Sequence, residues 1–265
     1  MNHQMLHRSR LQRFFTSAYT LCAAVLLLAG APRVQAEPAG IFWTAREANR
    51  NWKSVASSTN GSKLVAVVNG GQIYTSTDFG VTWTPRDSSR SWEGVASSAD
   101  GSKLVAAVYT GQIYTSTDFG VTWTPRDSSR NWSAVASSTD GSKLVAADII
   151  NGRLYTSTDS GVTWTPRDSS RAWTSVASSA DGSKLFAVDG NTGTGAIYGS
   201  SDSGVSWTLR GTFAETKGIA CSADGVIVMA CGKENGLAVV STDSGVTWTS
   251  ALPPPSSVSG GMKVG

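Results

Sequence analysis

Histidine is nearly missing from this 265-residue chain. The only two are His3 and His7. Both lie in a segment that reads as an export signal. Arg8, Arg10 and Arg13 form a basic start, Leu21 to Gly30 (LCAAVLLLAG) a short apolar run, and Val34-Gln35-Ala36 a small-residue cleavage site. Glu37 is the expected first residue of a mature, secreted or periplasmic chain. The run is too short to span a bilayer comfortably, so no membrane insertion is expected after cleavage. A mature chain without histidine cannot run a Ser-His-Asp or Cys-His mechanism and offers no imidazole to a metal. Catalysis would fall to carboxylates, Tyr, Lys or Arg.

Basic charge is scarce in the same sense. Residues 1–36 carry four arginines and no acid, so 22 basic residues against 19 acidic ones become 18 against 19 in the mature chain. The electrostatic footprint for nucleic acid is absent. Cysteine is reduced to Cys221 and Cys231 around the turn Asp224-Gly225. A two-residue turn there sets Cys221 opposite Val228, which argues for two separate thiols. No stretch of the mature chain shows 3.6-residue apolar spacing over ten residues, which excludes a helical repeat. No cofactor motif or metal-ligand spacing is present; the loop from Asp189 to Gly195 does not have the spacing of a calcium-binding EF-hand.

One pattern is abundant. Ser-x-Asp-x-Gly-x-x-Trp occurs five times, at Ser76–Trp83, Ser116–Trp123, Ser157–Trp164, Ser200–Trp207 and Ser241–Trp248. The aspartates are Asp78, Asp118, Asp159, Asp202 and Asp243, spaced by 40, 41, 43 and 41 residues. A period of this length marks one supersecondary unit repeated along the chain. Ahead of each copy lies a second turn signal: Asn60-Gly61, Asp100-Gly101, Asp140-Gly141, Asp181-Gly182 and Asp224-Gly225. Each unit reads as four antiparallel strands. In the second, Val95–Ser98 is followed by the Asp-Gly turn, Lys103–Val108, a break at Gly111, and Gln112–Thr117. The Asp-x-Gly turn then leads to Val121–Thr124, which Pro125 should end. Within the motif the carboxylate can accept backbone N–H bonds, glycine permits a left-handed backbone, and tryptophan covers the hairpin.

Through these motifs the chain resembles the Asp-box (BNR-repeat) β-propellers, which include sialidases, the sortilin receptor domain and photosystem II assembly factors. The resemblance covers nearly all of the mature chain. It implies an all-β propeller of four-stranded antiparallel blades over residues 37–251; the Pro/Ser/Gly composition of 252–265 reads as a disordered tail. It also implies that the boxes are structural hairpins remote from any active centre. Five blades are the first expectation. A lone fourth-strand copy, Ile41-Phe42-Trp43-Thr44, could close the ring onto the last blade. Six or seven blades would need missing strands or a second chain, and an unclosed ring would leave edges that favour oligomerisation.

The segment after each fourth strand is itself repeated: Pro85 to Trp92, Pro125 to Trp132 and Pro166 to Trp173, with a degenerate copy from Arg46 to Trp52. Arg50, Arg90, Arg130 and Arg171, with Trp52, Trp92, Trp132 and Trp173, are therefore candidate ligand-binding residues on one face. Guanidinium groups fork onto carboxylates, and indoles stack on sugars. Tyr109, in a loop of the same face, joins them. The competing reading is glue between blades, with each arginine paired to Asp87, Asp127 or Asp168. The leading expectation is a non-catalytic scaffold for a glycan, peptide or protein; an assembly or stability factor is a third possibility. The resemblance also allows sialidase chemistry, in which three arginines clamp a carboxylate, an aspartate is acid/base, and a glutamate activates a tyrosine nucleophile. The Arg-Ile-Pro element of sialidases does not occur here. The non-repeated carboxylates are Glu93, Asp148, Asp189, Glu215 and Glu234. The loops Asp148–Arg153 and Asp189–Gly195 break the pattern, and function is most readily grafted on such loops.

Overall fold

A computed structural model describes residues 44–150, 152–190, 195–232 and 238–251. The export segment, the strand copy at 41–43, Glu234 and the tail 252–265 lie outside the described residues. The described chain is all β, in antiparallel strands.

The third repeat shows the unit most plainly. The end of β5 (Thr124–Ser137) pairs with β6 (Leu144–Asp148), which pairs with β7 (Gly152–Ser157), which pairs with β8 (Thr165–Arg171). The same order runs through β9 (Trp173–Ser178), β10 (Leu185–Asp189), β11 (Gly195–Ser200) and β12 (Thr208–Phe213). It recurs in β13 (Thr216–Cys221), β14 (Val228–Gly232), β15 (Ala238–Ser241) and β16 (Thr249–Ser250). In the first two repeats, β1 (Trp52–Ser57), β2 (Leu64–Ser76), β3 (Thr84–Ser97) and β4 (Leu104–Ser116) run together. Here β3 joins the fourth strand of one unit to the first strand of the next, as β5 does again.

This continuity corrects one expectation. The fourth strand does not end at proline; it begins at Thr124 and passes through Pro125, which sits opposite Tyr114. The outermost strand pairs on one side only, so a residue without an N–H is tolerated there. Residues 121–123 belong instead to the turn that closes the hairpin. The Arg-Asp-Ser-Ser-Arg segment is accordingly a bulged outer strand. Arg126 lies opposite Ile113 and Arg130 opposite Gly111, with Asp127 left-handed at φ 53 between them. The cysteine register is as read from the turn: Cys221 faces Val228, Cys231 faces Gly218, and no disulfide joins the two.

Successive units stack face to face. Val65, Val67 and Ile73 of the first pack against Trp92, Val95, Leu104, Ala106, Val108 and Tyr114 of the second, all buried. The next junctions repeat this arrangement. At one end of the strands a backbone bond links each unit to the next: Thr59 donates to Ala99, Ala99 to Thr139, Thr139 to Ala180 and Ala180 to Ala223, each at 2.7 Å. Among the described residues the series does not return from Ala223 to Thr59.

Candidate functional site

The two ends of the strands are built differently. One end carries the Asp boxes and the Asp-Gly turns. Asp118 Oδ1 accepts the Thr122 N–H at 2.9 Å, Oδ2 accepts the Thr122 hydroxyl at 2.6 Å, and the Ser116 hydroxyl donates to Oδ1 at 2.7 Å. The Trp123 indole donates to the Gly120 carbonyl at 3.0 Å. Phe119 and Gly120 are both left-handed, at φ 60 and 80, so the motif needs two such residues where the sequence marks only the glycine. The other boxes repeat these bonds. The hydroxyl of Thr82 above all holds the Asp78 carboxyl at about 2, and Ser206 and Thr247 do the same for Asp202 and Asp243. Four lysines reach from one unit to the next here. Lys63 lies 3.5 Å over the Phe119 ring, and Lys103, Lys143 and Lys184 donate to Ser160, Ser203 and Ser244. The aspartates are thus consumed by their own turns.

The opposite end holds the Arg/Trp set. Trp92, Trp132 and Trp173 are completely buried, each edge-on to a tyrosine (Tyr114, Tyr155, Tyr198) at 5.1–5.3 Å and tilted against the box tryptophan of its unit. No indole face remains for a sugar at these three positions; Trp52, at the start of the series, is half-buried. The arginines lie over the same tyrosines: Arg50, Arg90, Arg130 and Arg171 sit 4.4–4.6 Å from the rings of Tyr74, Tyr114, Tyr155 and Tyr198. Each also faces an acid three residues earlier: Glu47, Asp87, Asp127 or Asp168, at 3.5–3.7 Å. About a third of each arginine side chain stays exposed. The repeated set therefore caps the packing between units and shows only its guanidinium edges to solvent.

What differs between units lies beside this cap, at the residue after each tryptophan and its neighbours on the second strand. The residues in the first series are Lys53, Glu93, Ser133, Thr174 and Lys217, the last following Thr216 in place of tryptophan. Lys53 pairs with Glu93 at 3.3 Å, and Asn69 donates to the same carboxylate at 2.8 Å. Ser133 donates to the Trp173 carbonyl at 2.8 Å, Thr174 to the Lys217 carbonyl at 3.3 Å, and Lys217 to the Gly190 carbonyl. Polar side chains thus connect the first strands of adjacent units. Tyr109 and Ile150, 36% and 52% exposed, project at the same end. Only Glu93 of the series stands out when carboxylates alone are counted. The fuller signal is a position that changes in every unit next to one that repeats.

Asp148 is a buried carboxylate at a position that Asp189 also holds, opposite Trp173, in the fourth unit. It occupies, opposite Trp132, the place that Val68 and Val108 hold opposite Trp52 and Trp92. It is buried, and burial raises its pKa against the opposing pull of the Ile150 N–H and the Arg130 guanidinium. Gly152 is packed so close that a Cβ there would lie 2.1 Å from the Asp148 carboxyl carbon. Two small hollows lie elsewhere. They are two clefts of about 10 Å³ each between units at the Asp-box end, lined by residues such as Lys103, Ser116 and Ser160, or Lys63, Ser76 and Phe119.

Stacked four-stranded antiparallel units, each sealed by an Asp box, are an architecture that the chain shares with proteins of the Asp-box propeller type. The BNR/Asp-box repeat model matches residues 74–85 and 114–125. Among solved structures the chain is similar to the GH74 xyloglucanase of Xanthomonas campestris (TM-score 0.62, 15% identity, 76% of this chain and 38% of that one). It is similar also to a GH74 enzyme of Niastella koreensis (0.54, 25%, 75% and 31%). A third is YCF48 bound to D1 peptide (0.52, 14%, 77% and 82%). The chain thus spans 38% and 31% of the two GH74 enzymes but 82% of YCF48. No curated protein matches the sequence. In all, 1222 solved chains match the fold, so the architecture alone selects no activity.

Proposed function

We propose that this chain is an exported, non-catalytic propeller, five blades per chain, that binds an extended peptide or a protein on the end opposite the Asp boxes. The observation that carries the reading is the divergence of that end. Lys53, Glu93, Ser133, Thr174 and Lys217 differ from unit to unit beside an otherwise repeated Arg/Trp/Tyr cap. A ligand that differs along its length needs such a row. Burial of the indoles argues against a glycan, because sugar recognition draws on exposed aromatic faces. The two clefts between units hold only about 10 Å³ each, room for a water molecule rather than for a small-molecule ligand. YCF48, whose length the chain largely spans, is a precedent for peptide binding on such a fold.

The test is selection from a displayed random-peptide library on the mature protein, residues 37–265, alongside a glycan array. Enriched peptides should lose binding with Tyr109→Ala and with Glu93→Lys while the melting temperature is kept. No enrichment, or enrichment indifferent to both substitutions, refutes the reading. Mass spectrometry of the exported protein should find Glu37 at its N-terminus.

The second reading is a glycoside hydrolase, favoured by the GH74 similarity and by the buried carboxyl of Asp148. Turnover of a fluorogenic sialoside or of xyloglucan, lost in Asp148→Asn, would establish it. No turnover between pH 4 and 8 removes it.

A further inference from the structure

The first and last units leave unlike faces uncovered, and the two faces match. In the second to fifth units the first-strand residues Val95, Val135, Val176 and Ile219 are 5–9% exposed, because the preceding unit covers them. Their counterpart in the first unit, Val55, is 49% exposed, and Trp52 is half-buried where Trp92, Trp132 and Trp173 are fully buried. At the other end, Met229 and Val240 of the fifth unit are half-buried, whereas Val65 and Thr75, their counterparts in the first, are covered by the next unit.

The residues that would meet across such a junction are the ones that depart from the repeat. At each described junction a lysine five residues beyond the serine of the Asp-Gly turn reaches the residue after the next box aspartate. Lys63 meets Phe119, and Lys103, Lys143 and Lys184 meet Ser160, Ser203 and Ser244. In the fifth unit that lysine is replaced by Ile227, 36% exposed, and the position that would receive it in the first unit is Phe79, 69% exposed. An isoleucine thus faces a phenylalanine, where the other junctions place a cation on a ring or a hydroxyl. The backbone is complementary as well: the series of 2.7 Å bonds leaves a donor at Ala223 and an acceptor at Thr59.

We infer that a second copy of this chain covers these faces, head to tail: Ile227, Met229 and Val240 of one copy docking on Trp52, Val55 and Phe79 of the next, with the Ala223 N–H bonded to the Thr59 carbonyl. A copy, rather than the chain's own far end, is the occupant because, among the described residues, β13 to β16 do not pack on β1 or β2 and no backbone bond joins Ala223 to Thr59. Such a contact is heterologous, and it propagates until a ring of copies closes. The inference rests on the end faces alone and is independent of what the loop end binds.

The decisive experiment is native mass spectrometry and light scattering of the mature protein and of two end variants, Ile227→Asp and Phe79→Asp. Wild type should form oligomers that dissociate on dilution. Each variant should be monomeric alone with an unchanged circular dichroism spectrum. Mixed, they should form a heterodimer and nothing larger, since the mixture retains one intact pair of faces. A monomeric wild type across the concentration range overturns the inference in favour of closure within one chain, whatever the variants do. A wild-type oligomer that both variants leave intact overturns it in favour of some other surface. Should Phe79→Asp fail to fold, Val55→Lys tests the same face.

Discussion

The Asp-box end and the loop end are made by the same strands, yet one repeats almost without change while the other varies. At the box end the carboxylates, hydroxyls and indoles of each unit bond within the unit, and lysines tie neighbours together. At the loop end a repeated cap of arginine, tyrosine and tryptophan seals the junctions, and beside it stand side chains that no two adjacent units share. The difference teaches that repetition here measures structural duty. Residues repeated at either end make the same contacts in every unit, whereas those that vary join neighbouring units through bonds that differ from junction to junction. The tryptophans of the cap look like binding residues in the sequence but belong with the repeated, structural class.

The strongest way to break the comparison is Trp132→Ala. Trp132 is fully buried at a junction among Val105, Ala107, Ile113 and Leu144. Truncation should cost about 3–5 kcal/mol, the range for an aromatic removed from a core. Trp52→Ala, at the uncovered start of the series, should cost clearly less in dilute protein. Urea unfolding of both variants checks this. Equal costs would mean that Trp52 is covered in solution, and a cost that grows with protein concentration would tie that cover to a second copy.

Much of the box end was legible in the sequence because its chemistry is local. Ser-x-Asp-x-Gly-x-x-Trp encodes a turn whose donors and acceptors lie within eight residues, and the Asp-Gly signal at 224–225 sets the register that puts Cys221 opposite Val228. The loop end was less legible because its decisions are made between units. Nothing adjacent to Trp92 in the chain says that Val65, Val67 and Ile73 will bury it, since those residues lie 19–27 positions earlier in another sheet layer. Pro125 misled for a related reason. A proline forbids a central strand, and only the finished sheet shows that this strand is an edge. The row from Lys53 to Lys217 was visible as variation, but variation is read as noise until the fold lines it up.

A smaller effect separates the boxes by pH. Asp118→Ala removes a carboxylate that accepts the Thr122 N–H and hydroxyl and the Ser116 hydroxyl. After allowance for solvent exposure the loss should be about 1–2 kcal/mol. The box carboxyls have folded pKa values below the ordinary carboxylate range, reaching about 2 at Asp78, Asp202 and Asp243. A depressed pKa contributes stability that is fully present above the unfolded value of about 3.9 and is lost as pH falls toward the folded one. Melting temperature should therefore fall steeply between about pH 4 and 2. Asp118→Ala, already lacking one such group, should lose less over that interval than wild type. A parallel fall in both proteins would show that these carboxylates are not what acid titrates.

The smallest expected effect has the opposite sign and probes the other end. Burial raises the folded pKa of Asp148, so its contribution is complete below the ordinary carboxylate range and is lost as pH rises through the folded value. At neutral pH the charged form is the strained one. An asparagine amide in its place would keep an oxygen for the Ile150 N–H without a charge to desolvate. Asp148→Asn should thus raise the melting temperature at pH 7 by about 2–4 °C, the shift that roughly 1 kcal/mol produces in a domain of this size. The gain should vanish near pH 3, where the native carboxyl is itself neutral. A carboxylate that lowers stability where two other units place valine is a cost carried at the variable end of the molecule, as binding and catalytic groups often are. If the substitution instead destabilises at pH 7, Arg130 has fully paired the charge, and Asp148 joins the repeated cap as structure.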